Sequence, residues 1–339
     1  MTTSRTPVVA ETPGDRPRHD RSAREGVARK RSARKRSARK AAAGTRGAGK
    51  GPAGGLRGDS IETTATSRIA VTAVLALTAV YFLFPLWWLF VAATKDAGYT
   101  FAGSPLWFSN FDLFGNIGDL FAYKDGIFAV WTANSALYSI VGAGLGTLIA
   151  VATGYALAKY EFRGKGVLFG VVLGAVLIPK VLFTLPLFLM FSETGIVNTY
   201  LAVLLPSIVS PFGVYLGRVF AASSVPDEVI EAARLDGANE GRIFFGVSLK
   251  MMAPALVTIF LFQFVEIWNN FLLPSQVLIS ENLRPVTVGL VSWNALVQAG
   301  QIERHMVIIG AFVAVVPLIV AFLSLQRFWR SGLAAGAIK

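Results

Sequence analysis

The chain has 339 residues, 54% of them apolar and 12% aromatic, with 15% charged and a positive mean hydropathy. That is too apolar for a soluble domain of this size, and the long apolar runs do not alternate, which excludes a porin-like barrel. The net charge is +12, cysteine is absent and His19 and His305 are the two histidines. Disulfides, thiolate nucleophiles and iron–sulfur ligation are therefore excluded, and a histidine-based metal site is disfavoured.

Residues 1–60 hold 16 Lys and Arg against 5 Asp and Glu, so eleven of the twelve net positive charges lie there. They contain a near-repeat, ARKRSARKRSARK at Ala28–Lys40, and lack the apolar content that offsets chain entropy, so a disordered basic tail is expected. Its charge suits a solvated cytoplasmic tail or contact with anionic lipid headgroups, and no specific nucleic-acid site is assigned to it. A cleaved signal peptide does not fit, because the basic region is too long and a span-length apolar stretch follows it. Gly44, Gly49 and Lys50 imitate a phosphate-binding loop. Gly51, however, stands where a Ser or Thr must reach magnesium, and no strand precedes the run.

The remainder, residues 61–339, reads as an all-α polytopic membrane domain. Six segments approach the roughly 20 apolar residues needed to cross a hydrocarbon core. They are Ile69–Ala93, Ile127–Ala158, Val167–Phe191, Leu201–Val219, Ala255–Leu278 and Met306–Leu325. The second carries small residues four apart, Gly142, Gly146, Ala150 and Gly154, which favours close helix packing. In the third, Pro179 and Pro186 are expected to bend the helix. The basic N-terminus sets the threading by the positive-inside tendency. Both termini and the loop with Arg163 and Lys165 then face the cytoplasm, while the loops near 94–126, 192–200 and 279–305 face outward.

Between the fourth and fifth spans, the segment 220–254 is polar and glycine-punctuated. Ser224 is placed to cap, Pro226 to start a helix without losing a needed donor, and Asp227 and Glu228 to meet the positive helix end. Val229, Ile230, Ala232 and Ala233 are expected on one side, Asp227, Glu228, Glu231 and Arg234 on the other, with Gly237 ending the helix.

In the fifth span Gln263, Glu266 and Asn270 fall on one helical face, with Trp268 and Asn269 near its end. Polar groups inside spans are costly and usually face the protein interior or a water-filled path, so this stripe, with Asn134 of the second span, is the candidate substrate pathway. Lys180 and Glu266 both lie roughly 16–20 Å along their spans at 1.5 Å per residue, and a pair between them would relieve two isolated charges.

At Glu231, Ala232, Ala233 and Gly237, with Val247 and Leu249 after a nine-residue gap, the chain resembles the EAA loop of membrane subunits of bacterial ABC importers. Lys250 stands where that pattern carries proline, and Pro254 follows four residues later. Further segments resemble the maltose-type carbohydrate permeases. They are Asn134-Ser135 and Gly154–Ala158 in the second span, Ile178-Pro179 and Pro186 in the third, Gly195–Tyr200 after it, Trp268–Pro274, and Arg330–Lys339. The resemblance covers about residue 68 to the end.

It implies a multi-pass subunit of the cytoplasmic membrane with no cofactor and no catalysis of its own. The family pairs such a chain with a second homologous permease, two ATP-binding-cassette ATPase subunits that carry ATP and Mg, and an extracytoplasmic sugar-binding protein. Glu231, Ala232, Ala233, Arg234, Asp236 and Gly237 would then form the ATPase-coupling helix of an importer for an oligosaccharide or disaccharide. Two alternatives are an ABC permease for a non-sugar solute and an ion-coupled secondary transporter, in which the EAA segment would have no role.

Overall fold

A computed structural model describes residues 65–96 and 104–336, and their regular structure is helical apart from one isolated bridge between Lys95 and Phe111. The basic tail, its phosphate-loop imitation and its expected disorder lie outside the described residues, as does Ala337–Lys339. The chain divides into residues 1–73 and 74–339. Of the first unit, the described part is the opening of α1 (Ala65–Thr94), and every other element belongs to the second.

In order these are α2 (Leu113–Ala122), α3 (Ile127–Lys159), α4 (Lys165–Leu177), α5 (Thr184–Thr194), α6 (Leu201–Ser207) and α7 (Pro211–Ser224). Then come α8 (Asp227–Leu235), α9 (Glu240–Met251, with a π turn over Ile243–Ser248), α10 (Ala253–Trp268), α11 (Leu272–Val277), α12 (Val286–Gln298) and α13 (Arg304–Gly336). Four helical stretches are long and apolar enough to cross a bilayer: Ser67–Thr94, Leu113–Lys159, Leu201–Ser224 and Arg304–Gln326. Two bent pairs, α4 with Lys180–Thr194 (98°) and α9 with α10 (80°), bring the number to six if each is one span.

Several expected boundaries move for identifiable reasons. The third span breaks at Ile178 and Pro179, both extended, because proline withdraws an N–H and forces its predecessor out of helical geometry. Pro186 lies in the first turn of α5, so the bend expected from both prolines falls at Pro179. The fourth span is interrupted before Pro211, and Ser210 restarts it by accepting the Gly213 N–H at 3.1 Å. The fifth ends at Trp268, not Leu278; Asn269–Phe271 turn the chain and α11 is a separate short helix. The outward loops expected at 94–126 and 279–305 contain α2 and α12, whose apolar residues recur at helical spacing.

The core forms around α3, whose observed span matches the expected one to within a residue. One buried cluster, with Phe128, Trp131, Tyr138, Trp268 and Trp293, surrounds its first half. A second, with Val151, Tyr155, Ile230, Ile243 and Ile259, surrounds its last half. Along the small-residue stripe, backbones meet: a Cβ on Gly217 of α7 would lie 3.0 Å from the Ala150 carbonyl oxygen. Such approach recovers dispersion contacts that lipid cannot distinguish from its own, which is why small residues line the seam. By contrast α1 is exposed from Ser67 to Trp87 and buried over Val91–Thr94.

Candidate functional site

The segment between α7 and α10 is built as a rigid bracket. Ser224 is the last residue of α7 and caps nothing; the N-cap position of α8 is Pro226, whose missing N–H is not needed there. Asp227 and Glu228 occupy the first turn as expected. At the other end Gly237 adopts φ +79°, and paired bonds from Gly237 N to Arg234 O (3.0 Å) and Ala238 N to Ala233 O (3.0 Å) close the helix in a Schellman turn. Any Cβ-bearing residue would be strained at that φ.

Ile230, 4% exposed, and Ile243, fully buried, anchor the bracket in the second core cluster, and Ala233 packs beside them. Ala232 does not join them, contrary to the expected division of faces. It is exposed together with Glu231, Arg234, Asp236 and Leu235, the last 90% accessible. A short helix with one anchored face therefore presents Glu231, Ala232 and Leu235 outward.

The end of α3 holds this bracket at two points. Lys159 Nζ, on a side chain 7% exposed, lies 2.7 Å from Asp227 Oδ1. Tyr160 donates its hydroxyl to Glu240 Oε2 at 2.5 Å, while Arg234 Nε donates to Glu240 Oε1 at 2.7 Å. The Arg234 bond, then the Tyr160 bond, holds the Glu240 carboxyl below its ordinary range, and the Glu240 bond in turn raises the Arg234 guanidinium. Burial, then the Glu240 bond, pushes the Tyr160 phenol above its usual value. Ser248 Oγ reaches Tyr155 OH at 3.2 Å, adding a third tie.

The polar stripe of α10 divides in two. Gln263 is 4% exposed, sits in the α3–α7–α10 seam and donates to Thr147 Oγ1 at 3.4 Å. Trp268, 2% exposed, stacks on Phe264 in the core. These two pack between helices within this chain, apart from the exposed members of the stripe. Glu266 and Asn269 are exposed; Asn270 is half-buried and its carbonyl accepts from Thr287 Oγ1 at 3.0 Å. Lys180 Nζ meets Glu266 Oε1, joining the break after α4 to the last turn of α10, with side chains 64% and 50% exposed.

Asn134 is 5% exposed and holds a loop. Its Nδ2 donates to the Asn282 and Arg284 carbonyls at 2.7 and 3.1 Å, and its Oδ1 accepts from Tyr200 OH at 3.2 Å. The sequence reading missed its companions in that task. Trp131 Nε1 donates to Glu281 O at 3.0 Å, Tyr138 OH to Leu283 O at 2.9 Å, and Ser135 Oγ accepts Val286 N at 2.8 Å. Across the loop Asn198, in left-handed conformation, accepts the Ile279 and Ser280 amides at 3.0 and 2.7 Å. The available signal was the spacing of Trp131, Asn134, Ser135 and Tyr138, which puts four hydrogen-bonding side chains on one helical face.

The long apolar helices and bent pairs define a multi-pass helical membrane protein. Residues 142–331 match the family described as binding-protein-dependent transport system inner membrane component, and the chain belongs to it. It is 37% identical over 214 residues to the arabinooligosaccharides transport system permease protein AraQ of Halalkalibacterium halodurans, covering 63% of this chain and 75% of that one. It is 31% identical to AraQ of Bacillus subtilis, over 80% of this chain and 96% of the relative. With the lactose transport system permease protein LacG of Rhizobium radiobacter it shares 30% identity, over 78% and 94% of the two chains. Among solved structures, a bacterial ABC transporter involved in import of the acidic polysaccharide alginate has the same fold: TM-score 0.66, 23% identity, 78% of this chain and 98% of that one.

Proposed function

We propose that the chain is the permease subunit of an ATP-binding-cassette importer for an oligosaccharide or disaccharide. ATP is hydrolysed on a separate subunit, and transport proceeds by alternating access. Relatives named for arabinooligosaccharides, lactose and melibiose, raffinose and stachyose support carbohydrate as the cargo. On this reading α4 with Lys180–Thr194 is the third span and α10 the fifth, giving six, and both termini lie in the cytoplasm with α8 and α9. The observation that carries it is the family match laid over α8, whose Glu231, Ala232 and Leu235 face outward while Ile230 and the Gly237 turn keep it fixed.

Two ATPase subunits, a second related permease and an extracytoplasmic binding protein complete the assembly. Its cargo path runs past the exposed Lys180–Glu266 pair, because two half-exposed charges within apolar spans require water or a partner protein, not hydrocarbon, beside them. The test is uptake of radiolabelled arabinooligosaccharide, lactose, melibiose and raffinose in a strain lacking this chain. Loss of one uptake, restored by the full chain and not by Gly237→Val, is the expected result. Unchanged uptake of every sugar, with loss of a non-sugar solute, would overturn the carbohydrate assignment.

A further inference from the structure

We infer that α3 is the rod that carries displacement of the α8–α9 bracket to the loop at 279–286, with Lys159 and Tyr160 as positioning residues for its grip. The inference rests on the coupling role proposed for α8.

Continuity is the first observation. α3 runs 33 residues without proline, about 50 Å at 1.5 Å per residue. The other long paths are bent, parted or carry a proline: α4 and α5 bend by 98°, α9 and α10 by 80°, α6 and α7 are separated before Pro211, and α1 and α13 contain Pro85 and Pro317. A bent or proline-broken helix absorbs movement at its break, whereas an unbroken packed helix moves as a body.

Attachment at both ends is the second. One end is tied to the bracket through Lys159–Asp227, Tyr160–Glu240 and Ser248–Tyr155. At the other, the carbonyls of Glu281, Asn282, Leu283 and Arg284 are all taken by α3 side chains, and Ser135 takes the Val286 amide. Four consecutive carbonyls bonded to one helix fix the loop's register to that helix, so it follows when α3 moves. Asn198 also holds the loop at Ile279 and Ser280, but among the described residues the carbonyls of 281–284 bond side chains of α3. Lys159 and Tyr160 supply the polar grip at the end of the rod, beside the apolar packing of Ile230 and Ile243 against Val151 and Tyr155.

The test uses the importer complex purified on a tag carried by this chain, comparing no nucleotide with ATP, magnesium and orthovanadate. Hydrogen exchange is read at the backbone amides of 226–251 and 279–286. Coupling energies between sites usually correspond to about 5- to 150-fold effects. The wild-type complex should show nucleotide-dependent exchange at both segments. Lys159→Gln with Tyr160→Phe should keep the change at 226–251 and lose at least about fivefold of it at 279–286. Lys159→Asp with Asp227→Lys should restore it relative to either single change, and Lys165→Gln, which breaks only the neighbouring Lys165–Glu161 pair, should alter neither segment.

A full response at 279–286 in the double variant overturns the rod. So does a double variant that simply releases the ATPase, since its residues would then be part of docking itself. A wild-type complex with no ATPase and no response at 226–251 overturns the coupling reading beneath it, a result distinguishable from the first two.

Discussion

Alanine at Gly154 and at Gly144 should move stability in opposite directions, although both glycines lie in α3. A Cβ at Gly154 would lie 2.6 Å from Gly217 C and 2.8 Å from Val214 O, and closer still to Arg218 N. All three are backbone atoms of α7, so no side-chain rotation relieves the contact. Reaching the ordinary 3.4 Å from Gly217 C requires α7 to retreat by about 0.8 Å, and that motion also opens the Ala150–Gly217 approach. Overpacking of this kind costs about 1–3 kcal/mol, partly offset by the roughly 1 kcal/mol helix preference of alanine over glycine. At Gly144 nothing lies within 4 Å, so only the favourable helix term remains. The two variants should therefore differ by about 1–3 kcal/mol, or roughly 5- to 160-fold in the unfolding equilibrium measured by SDS titration in mixed micelles. Equal stability of Gly154→Ala and Gly144→Ala would refute the backbone-contact account of the α3–α7 seam.

Gly237→Val forces a β-branched residue to φ +79° and should cost the bracket about 1–2 kcal/mol while leaving membrane insertion intact; ATPase co-purification should fall with it. Glu231→Lys changes an exposed side chain, so unfolding should match wild type while ATPase association weakens at least about tenfold, the effect of about 1.4 kcal/mol. Retention of the ATPase by both variants would exclude α8 as its docking helix. The Glu240 carboxyl is held low, so its contribution is present above the unfolded value of about 4.3 and is lost as pH falls through the folded one. The Tyr160 phenol is held high, so its contribution is present below about 10 and fades as pH rises beyond that. Glu240→Gln should accordingly flatten the acid limb of the stability profile, and an unchanged limb would show that the network does not matter. Exchanging Lys180 and Glu266 should restore transport that either single neutralisation removes; failure of the exchange would mean the contact is not a functional pair. Asn198→Ala deletes two loop acceptor bonds and a left-handed preference, for a loss of about 1–3 kcal/mol in the same SDS titration.

Local chemistry made much of this chain legible before any folding. Continuous apolar runs identify a helical membrane domain because lipid offers the backbone no partners, and α3 follows from its own sequence to within a residue. Gly237 as a helix stop and Pro179 as a break are equally local, since one needs a positive φ and the other forbids a donor. The Lys180–Glu266 contact was reachable from depth alone, because two charges at matching levels of neighbouring spans have few other partners.

Helix neighbours, by contrast, are decided by tertiary packing. Gln263 shares a helical face with Glu266 and Asn270 by spacing, yet Gln263 is buried in the α3–α7–α10 seam and Trp268, near the helix end, stacks in the core, while Glu266 is exposed. Asn134, expected beside the polar stripe, holds carbonyls nearly 150 positions later. Ala232 lies outward because Ile230 and Ile243, together, set the rotation of α8. A side chain's direction around its own axis is readable from a period of 3.6, but what that direction faces depends on which helix the chain brings alongside, and no local preference encodes it.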